Sequence, residues 1–196
     1  MDEVIPGILH WQARHPSIRM DVSSYLLTDV AMALDPILPE GEGPEWLGHD
    51  VDRVVLTARH HLRNASDFGV PILVHRSGVD EIGSEAVEVE VYEAGDELAS
   101  GVRVLSFGRI CADDAALHIA LGPGVLAFGD GIINYGDIGH PPDQLLGEDP
   151  EAVKADIVEG LVALLDEEFD VLLFAHGEPV ASGGKRMLRD FVQARR

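Results

Sequence analysis

The densest group of reactive side chains in this chain lies at residues 52–63, which read Asp-Arg-Val-Val-Leu-Thr-Ala-Arg-His-His-Leu-Arg. Val54, Val55 and Leu56 form a short unbroken apolar run, the pattern of a strand buried on both faces. Directly beyond it stand Arg59, His60, His61 and Arg63. In open α/β sheets, chemistry collects where strands end at their carboxyl edge. Imidazoles placed there can ligate a metal or carry a proton, and guanidinium groups pair with carboxylate or phosphate in bidentate fashion. His61 is therefore a candidate proton carrier, and Arg59 and Arg63 are candidates for binding an anionic substrate. For each of the three, a structural salt-bridge network with Asp35, Asp67 or Asp130 is the competing account.

A weaker echo of the same arrangement occurs near the end of the chain. Asp170-Val-Leu-Leu-Phe-Ala-His176 repeats the order of residues 52–60: an acidic turn, a buried strand, then a histidine at the strand's end. Two such half-units would bring His60 and His176 to one edge of the structure.

The elements that must position these residues follow from the apolar periodicity. Residues 4–11 predict an edge strand with a turn at Pro6-Gly7. Residues 23–27 and 30–34 predict a hairpin broken at Thr28-Asp29, ended by Asp35-Pro36, where Asp35 reads as a plain turn residue. Residues 39–48 are a Gly/Pro/Glu-rich loop, and residues 64–68 a short helix stopped by Gly69. Further buried strands are predicted at residues 70–74, 102–107, 116–120, 125–128 and 171–174. Residues 85–92 alternate, with Val87, Val89 and Val91 expected inside and Glu88, Glu90 and Tyr92 outside. Asp149 caps a helix with Pro150 at its first position, and Val153, Ile157, Leu161, Leu164 and Leu165 share one face. Ser182-Gly183-Gly184 opens a last helix through Val192, whose basic end suits the helix dipole. Lys185 after these glycines does not make a phosphate loop, since the leading glycine is missing.

Composition bounds the function class. With 196 residues, a single domain spanning 1–196 is expected. The 14 Lys+Arg against 35 Asp+Glu give a formal net charge of −21. Such an acidic surface disfavours nucleic acid and anionic membranes as partners. Cys111 is the only cysteine, so neither an intrachain disulfide nor a thiolate zinc cluster is available. No basic-then-apolar leader opens the sequence and no apolar run reaches the ~20 residues of a membrane span, so a cytoplasmic protein is expected.

The order of these elements resembles the metallo-β-lactamase superfamily across nearly the whole chain. The matches are Ser24-Tyr25-Leu26-Leu27, Ala33-Leu34-Asp35-Pro36, Val54-Val55-Leu56-Thr57, Leu126-Ala127-Phe128-Gly129-Asp130 and Leu173-Phe174-Ala175-His176-Gly177-Glu178-Pro179. The resemblance implies an α/β (α+β) protein, a four-layer α/β/β/α sandwich with a metal site at the top of its two sheets. The family motif His-x-His-x-Asp-His falls on residues 58–63, where the chain reads Ala58-Arg59-His60-His61-Leu62-Arg63, so only the second histidine survives. The family's next histidine falls on Asp114, its bridging aspartate on Asp130 and its final histidine on His176.

Half of the usual two-metal ligand set is thus replaced. What the resemblance leaves is His60, Asp114, Asp130 and His176, enough nitrogen and oxygen donors for one divalent ion, zinc, iron or manganese. The alternative is no metal, with the histidines merely hydrogen-bonded and Asp130 capping a turn. The implied activity is hydrolysis of a small anionic ester, thioester or phosphoester at a mononuclear site, with His61 and Asp130 in catalysis. The competing function is an inactive relative that binds a small anion or a protein partner. Homodimers are common in the family, although no interface stripe is visible here. Cys111 reads as a small buried residue, and His140 as a solvated loop histidine or part of a lid.

Overall fold

Short apolar runs separated by Gly, Pro and Asp turns give a chain dominated by strands in both halves, with the longer helices confined to the second. The computed structural model describes residues 1–82, 88–107 and 109–196. Within the single domain expected from the sequence, two compact units form, Met1–Glu93 and Ala94–Arg196. Each has its own sheet and its own core, and the fold class is α+β.

The first unit carries a seven-stranded sheet in sequential order: β1 (Asp2–Ile5), β2 (Ile8–Arg14), β3 (Asp21–Leu27), β4 (Met32–Leu34), β5 (Arg53–Val55), β6 (Ile72–His75) and β7 (Val89–Tyr92). Strands β1 to β4 pair antiparallel, and β4 to β7 pair parallel. The parallel part explains why β5 and β6 are unbroken apolar runs, since both of their faces are covered. Trp11, Leu26, Ala33, Leu47, Val54, Leu56, Ile72 and Val74 fill its core. The expected hairpin is present as β3–β4. The short helix expected at 64–68 is a 3-10 turn, Ala65–Phe68, closed by Gly69 in the left-handed region. A further short helix, α1, covers Val79–Ile82.

The alternating stretch at 85–92 does not face the way its pattern predicts. Val89 and Val91 are 36% and 41% exposed, while Tyr92 is buried. The physical reason is a single hydrogen bond: the Tyr92 hydroxyl donates to the Leu56 carbonyl at 2.6 Å. A ring of that size outweighs two valines, and its polar tip finds a partner in the core. Residues 85–87 of the predicted strand lie outside the described residues.

The second unit carries a five-stranded sheet built from β8 (Glu97–Ala99), β9 (Val102–Leu105), β10 (Ala116–Ile119), β11 (Val125–Phe128) and β14 (Val171–Phe174). Their order across the sheet is β14-β11-β10-β9-β8. Strands β8 to β11 pair antiparallel, and β14 joins β11 in parallel. A two-stranded ribbon of β12 (Ile133–Asn134) and β13 (Ile138–Gly139) sits in the stretch between β11 and helix α2 (Pro150–Leu164). The Asp149 carboxylate caps α2 by accepting from the Ala152 amide at 3.1 Å. Ile157, Leu161 and Leu164 are inside as predicted, with Val158 and Gly160 beside them. Helix α3 (Gly184–Gln193) packs Leu188, Phe191 and Val192 into the same core as Leu126, Phe128, Leu172 and Phe174. The expected basic last turn of α3 is not helical. Arg195 lies past its end, where it donates to the Phe191 carbonyl at 3.1 Å and stacks on the Phe191 ring. Among the described residues, no helix is long and apolar enough to cross a membrane.

The Phe128 and Phe174 rings stack at 6.2 Å between centroids, and both are fully buried. Phe174→Ala is expected to cost about 3–5 kcal/mol of folding stability. Urea denaturation should show a lower midpoint with an unchanged slope.

Candidate functional site

In the first unit, chemistry gathers at the carboxyl ends of the parallel strands β4 and β5. Asp35 follows β4 directly. Its backbone is in the left-handed region at φ 45°, which costs a non-glycine residue about 1–2 kcal/mol. That turn buries its carboxylate against the end of β5. Oδ1 accepts from the Thr57 amide at 2.8 Å, and Oδ2 accepts from the Thr57 hydroxyl at 2.5 Å. His61 Nδ1 lies 3.1 Å from the same Oδ2 and 3.0 Å from Thr57 Oγ1. The His61 ring is 2% exposed. Asp35 is therefore not the plain turn residue expected from Asp-Pro. The missed signal was its partners, a threonine and a histidine placed at the end of the next strand.

Burial by itself would raise the Asp35 carboxyl. The charge and hydrogen bond of His61, the nearby Arg63 and the Thr57 hydroxyl together outweigh it, so the group lies below its ordinary value of 3.8. Arg63, also at positive φ, donates through Nη1 to the carbonyls of Ser23 and Asp35 at 3.0 and 2.8 Å. It thus ties β3 to the turn after β4. Ser24 Oγ donates to that same Asp35 carbonyl at 2.7 Å. Arg59 Nε reaches Glu81 of α1 at 2.7 Å. A 3-10 turn, Arg59–His61, carries these residues, with the His61 amide donating to the Ala58 carbonyl at 2.9 Å. His60 is exposed, its ring 4.8 Å from that of His61 at an interplanar angle of 77°.

In the second unit, three of the predicted residues come together. Asp114 precedes β10, Asp130 follows β11 and His176 follows β14. Because β10 runs antiparallel to β11 and β14 parallel to it, all three positions fall at one edge of the sheet. Asp114 is buried, and its Oδ1 accepts from the Asp130 amide at 3.0 Å. Asp130 Oδ1 lies 2.9 Å from His176 Nε2, and both side chains keep partial exposure. The turn holding His176 is fixed from behind by Asn134, which the sequence reading missed. The Asn134 amide donates to the His176 carbonyl at 3.0 Å, and its side-chain nitrogen donates to the Glu178 carbonyl at 2.7 Å. Gly177 has φ 101°, and any Cβ there would collide with the Asn134 carbonyl. Cys111 is half-buried, and the Asp114 amide donates to its carbonyl at 3.2 Å. His140 stacks edge-on against Phe191 at 5.1 Å. Burial, then the charges of Arg195 and Lys154, lower its pKa below the ordinary histidine value.

The donor chemistry fits a divalent ion. Two donors on one ion at about 2.0–2.2 Å sit about 3 Å apart, which is the separation of Asp130 Oδ1 and His176 Nε2. Without an ion, the same two atoms can share a proton instead.

The chain matches no family model, and no curated protein sequence matches it. Its likeness is to solved structures. A metallo-beta-lactamase family protein from Thermus thermophilus aligns over 98% of this chain and 80% of its own, at 17% identity and a TM-score of 0.65. A beta-lactamase domain protein from Burkholderia ambifaria aligns over 98% and 75%, at 21% identity and a TM-score of 0.68. An archaeal metallo-beta-lactamase superfamily protein from Sulfolobus tokodaii aligns over 96% and 85%, at 14% identity and a TM-score of 0.64. The chain has the metallo-β-lactamase fold.

Two measurements check this geometry. Asp35 is lowered in the folded state, so its contribution is complete above its unfolded value and is lost as pH falls through the folded one. Stability measured by urea midpoint should drop below about pH 4 in the natural protein. Asp35→Asn should cost about 3–5 kcal/mol at neutral pH, since it leaves buried partners unmatched, and should flatten that acid dependence. Gly177→Ala should destabilise by more than about 1 kcal/mol, read from the same midpoint.

Proposed function

We propose that this protein is a metal-dependent hydrolase with a reduced, mononuclear site, acting on a small anionic ester, thioester or phosphoester. The observation that carries this reading is the Asp130–His176 pair, whose donor atoms lie 2.9 Å apart at the ends of β11 and β14. The fold supports the reaction class.

Asp130 and His176 are the proposed donors of the second unit, with Asp114 acting at least through the Asp130 amide it holds; His60 is the donor candidate of the first unit. A divalent ion bound by them would supply Lewis acidity toward a carbonyl or phosphoryl oxygen. Zinc, iron and manganese all suit mixed imidazole and carboxylate donors. Asp130, partly exposed and paired with His176, can hold and return a proton during hydrolysis. Arg59 and Arg63 bring positive charge to a chain of net charge −21, which favours a small anion over a neutral ester. Glu81 of α1 holds Arg59 in place.

Metal analysis of protein purified without chelator tests this directly. About one ion per chain is expected, and His176→Ala, Asp130→Asn and His60→Ala should each abolish it. Hydrolysis of short anionic aryl esters, thioesters and phosphoesters should fall at least ~100-fold in the same variants. Protein that takes up no zinc, manganese or iron, with no gain in melting temperature on their addition, would instead make it an inactive relative of the fold that binds an anion or a protein.

A further inference from the structure

The motif turn carries one histidine that the family pattern does not assign. We propose that Asp35 and Thr57 hold His61 with its proton on Nδ1, and so make His61 Nε2 a metal-ligating nitrogen beside His60. This inference rests on the metal-dependent reading above. It replaces the proton-carrier role expected for His61 from sequence alone.

The argument is a count of protons. A threonine hydroxyl has one proton to give. Thr57 gives it to Asp35 Oδ2, 2.5 Å away. Toward His61 Nδ1, at 3.0 Å, the Thr57 oxygen can then only accept. Asp35 Oδ2, 3.1 Å from Nδ1, is an acceptor as well. Nδ1 therefore carries a proton, and whenever the ring is neutral, as a metal ligand must be, its lone pair falls on Nε2. A histidine whose other nitrogen donates to a carboxylate is the usual form of a metal ligand, since the carboxylate fixes both ring orientation and tautomer.

Position and rigidity agree with this role. Asp35, Thr57 and His61 are all buried, so the ring is held rather than merely touched. The His60 and His61 rings lie 4.8 Å apart, with a nitrogen of each within 4.8 Å of the other. Two imidazoles on one ion hold ring centres about 4.5–5 Å apart when metal–nitrogen bonds are about 2.0–2.1 Å. The neighbouring motif positions cannot serve, because Ala58 and Leu62 offer no donor atom. The turn thus takes from residue 61 a ligand that the family pattern draws from residues 58 and 62.

Histidine side-chain NMR on 15N-labelled, chelator-treated protein tests the tautomer. The His61 signals are assigned by their loss in His61→Gln. At a pH where the ring is neutral, Nδ1 protonated and Nε2 unprotonated is expected, and the reverse pattern overturns the proposal. Cadmium-113 is then added, and a one-bond coupling to His61 Nε2 is expected. In cobalt(II) titrations, Asp35→Asn and Thr57→Val should each weaken binding about 10–100-fold. Thr57→Ser, which keeps the hydroxyl, should restore it. Cadmium bound with coupling only to other histidines overturns this inference while leaving a metal-dependent protein. Wild-type protein that binds neither cadmium nor cobalt overturns both. If Asp35→Asn does not fold, the coupling in the natural protein decides alone.

Discussion

A single buried carboxylate organises the first unit. Asp35 closes β4 against β5 and receives the amide and hydroxyl of Thr57. Its own carbonyl anchors Ser24 and Arg63. A buried charge is tolerated only where it is paired and fully hydrogen-bonded. Here the partners are drawn from three successive strands or the turns that follow them. The strained φ of Asp35 is the cost of aiming the carboxylate inward, and the network it completes is the compensation.

The second unit solves the same problem with different parts. Its aspartate and histidine stay partly exposed, and the rigid element is the backbone around them. Asp114 fixes the amide of Asp130, while Asn134 and a glycine with no room for a side chain fix the turn of His176. One cluster is thus held from within by charge and the other from behind by main-chain bonds. Clusters held in these ways orient reactive groups to within tenths of an ångström, which is what ligand and catalytic geometry require.

Much of the fold was legible because strand periodicity and turn residues are local signals. The runs at β5, β6, β11 and β14 and the Asp149-Pro150 helix start needed no partner to be recognised. The positions of Asp114, Asp130 and His176 followed from where those strands end. What was not legible depends on partners distant in sequence. Asp35 looked like a turn residue because its role is defined by Thr57 and His61, 22 and 26 positions on. The face of β7 was misjudged because period-2 alternation says which residues share a side, not which side a tyrosine hydroxyl will claim. Asn134 gave no signal at all, since its work is done by its main chain and by one amide group facing a turn more than forty residues away.

The exposed valines of β7 also bear on the edge of the first unit's sheet. Among the described residues this strand ends its sheet and pairs only with β6, with Val89 and Val91 outward. An open edge with apolar side chains is a template for another strand, and natural sheets blunt such edges with charge. Glu88, Glu90 and Glu93 flank the valines, on a molecule already carrying −21. Repulsion between such charges has a range that shrinks to about 3 Å in 1 M salt.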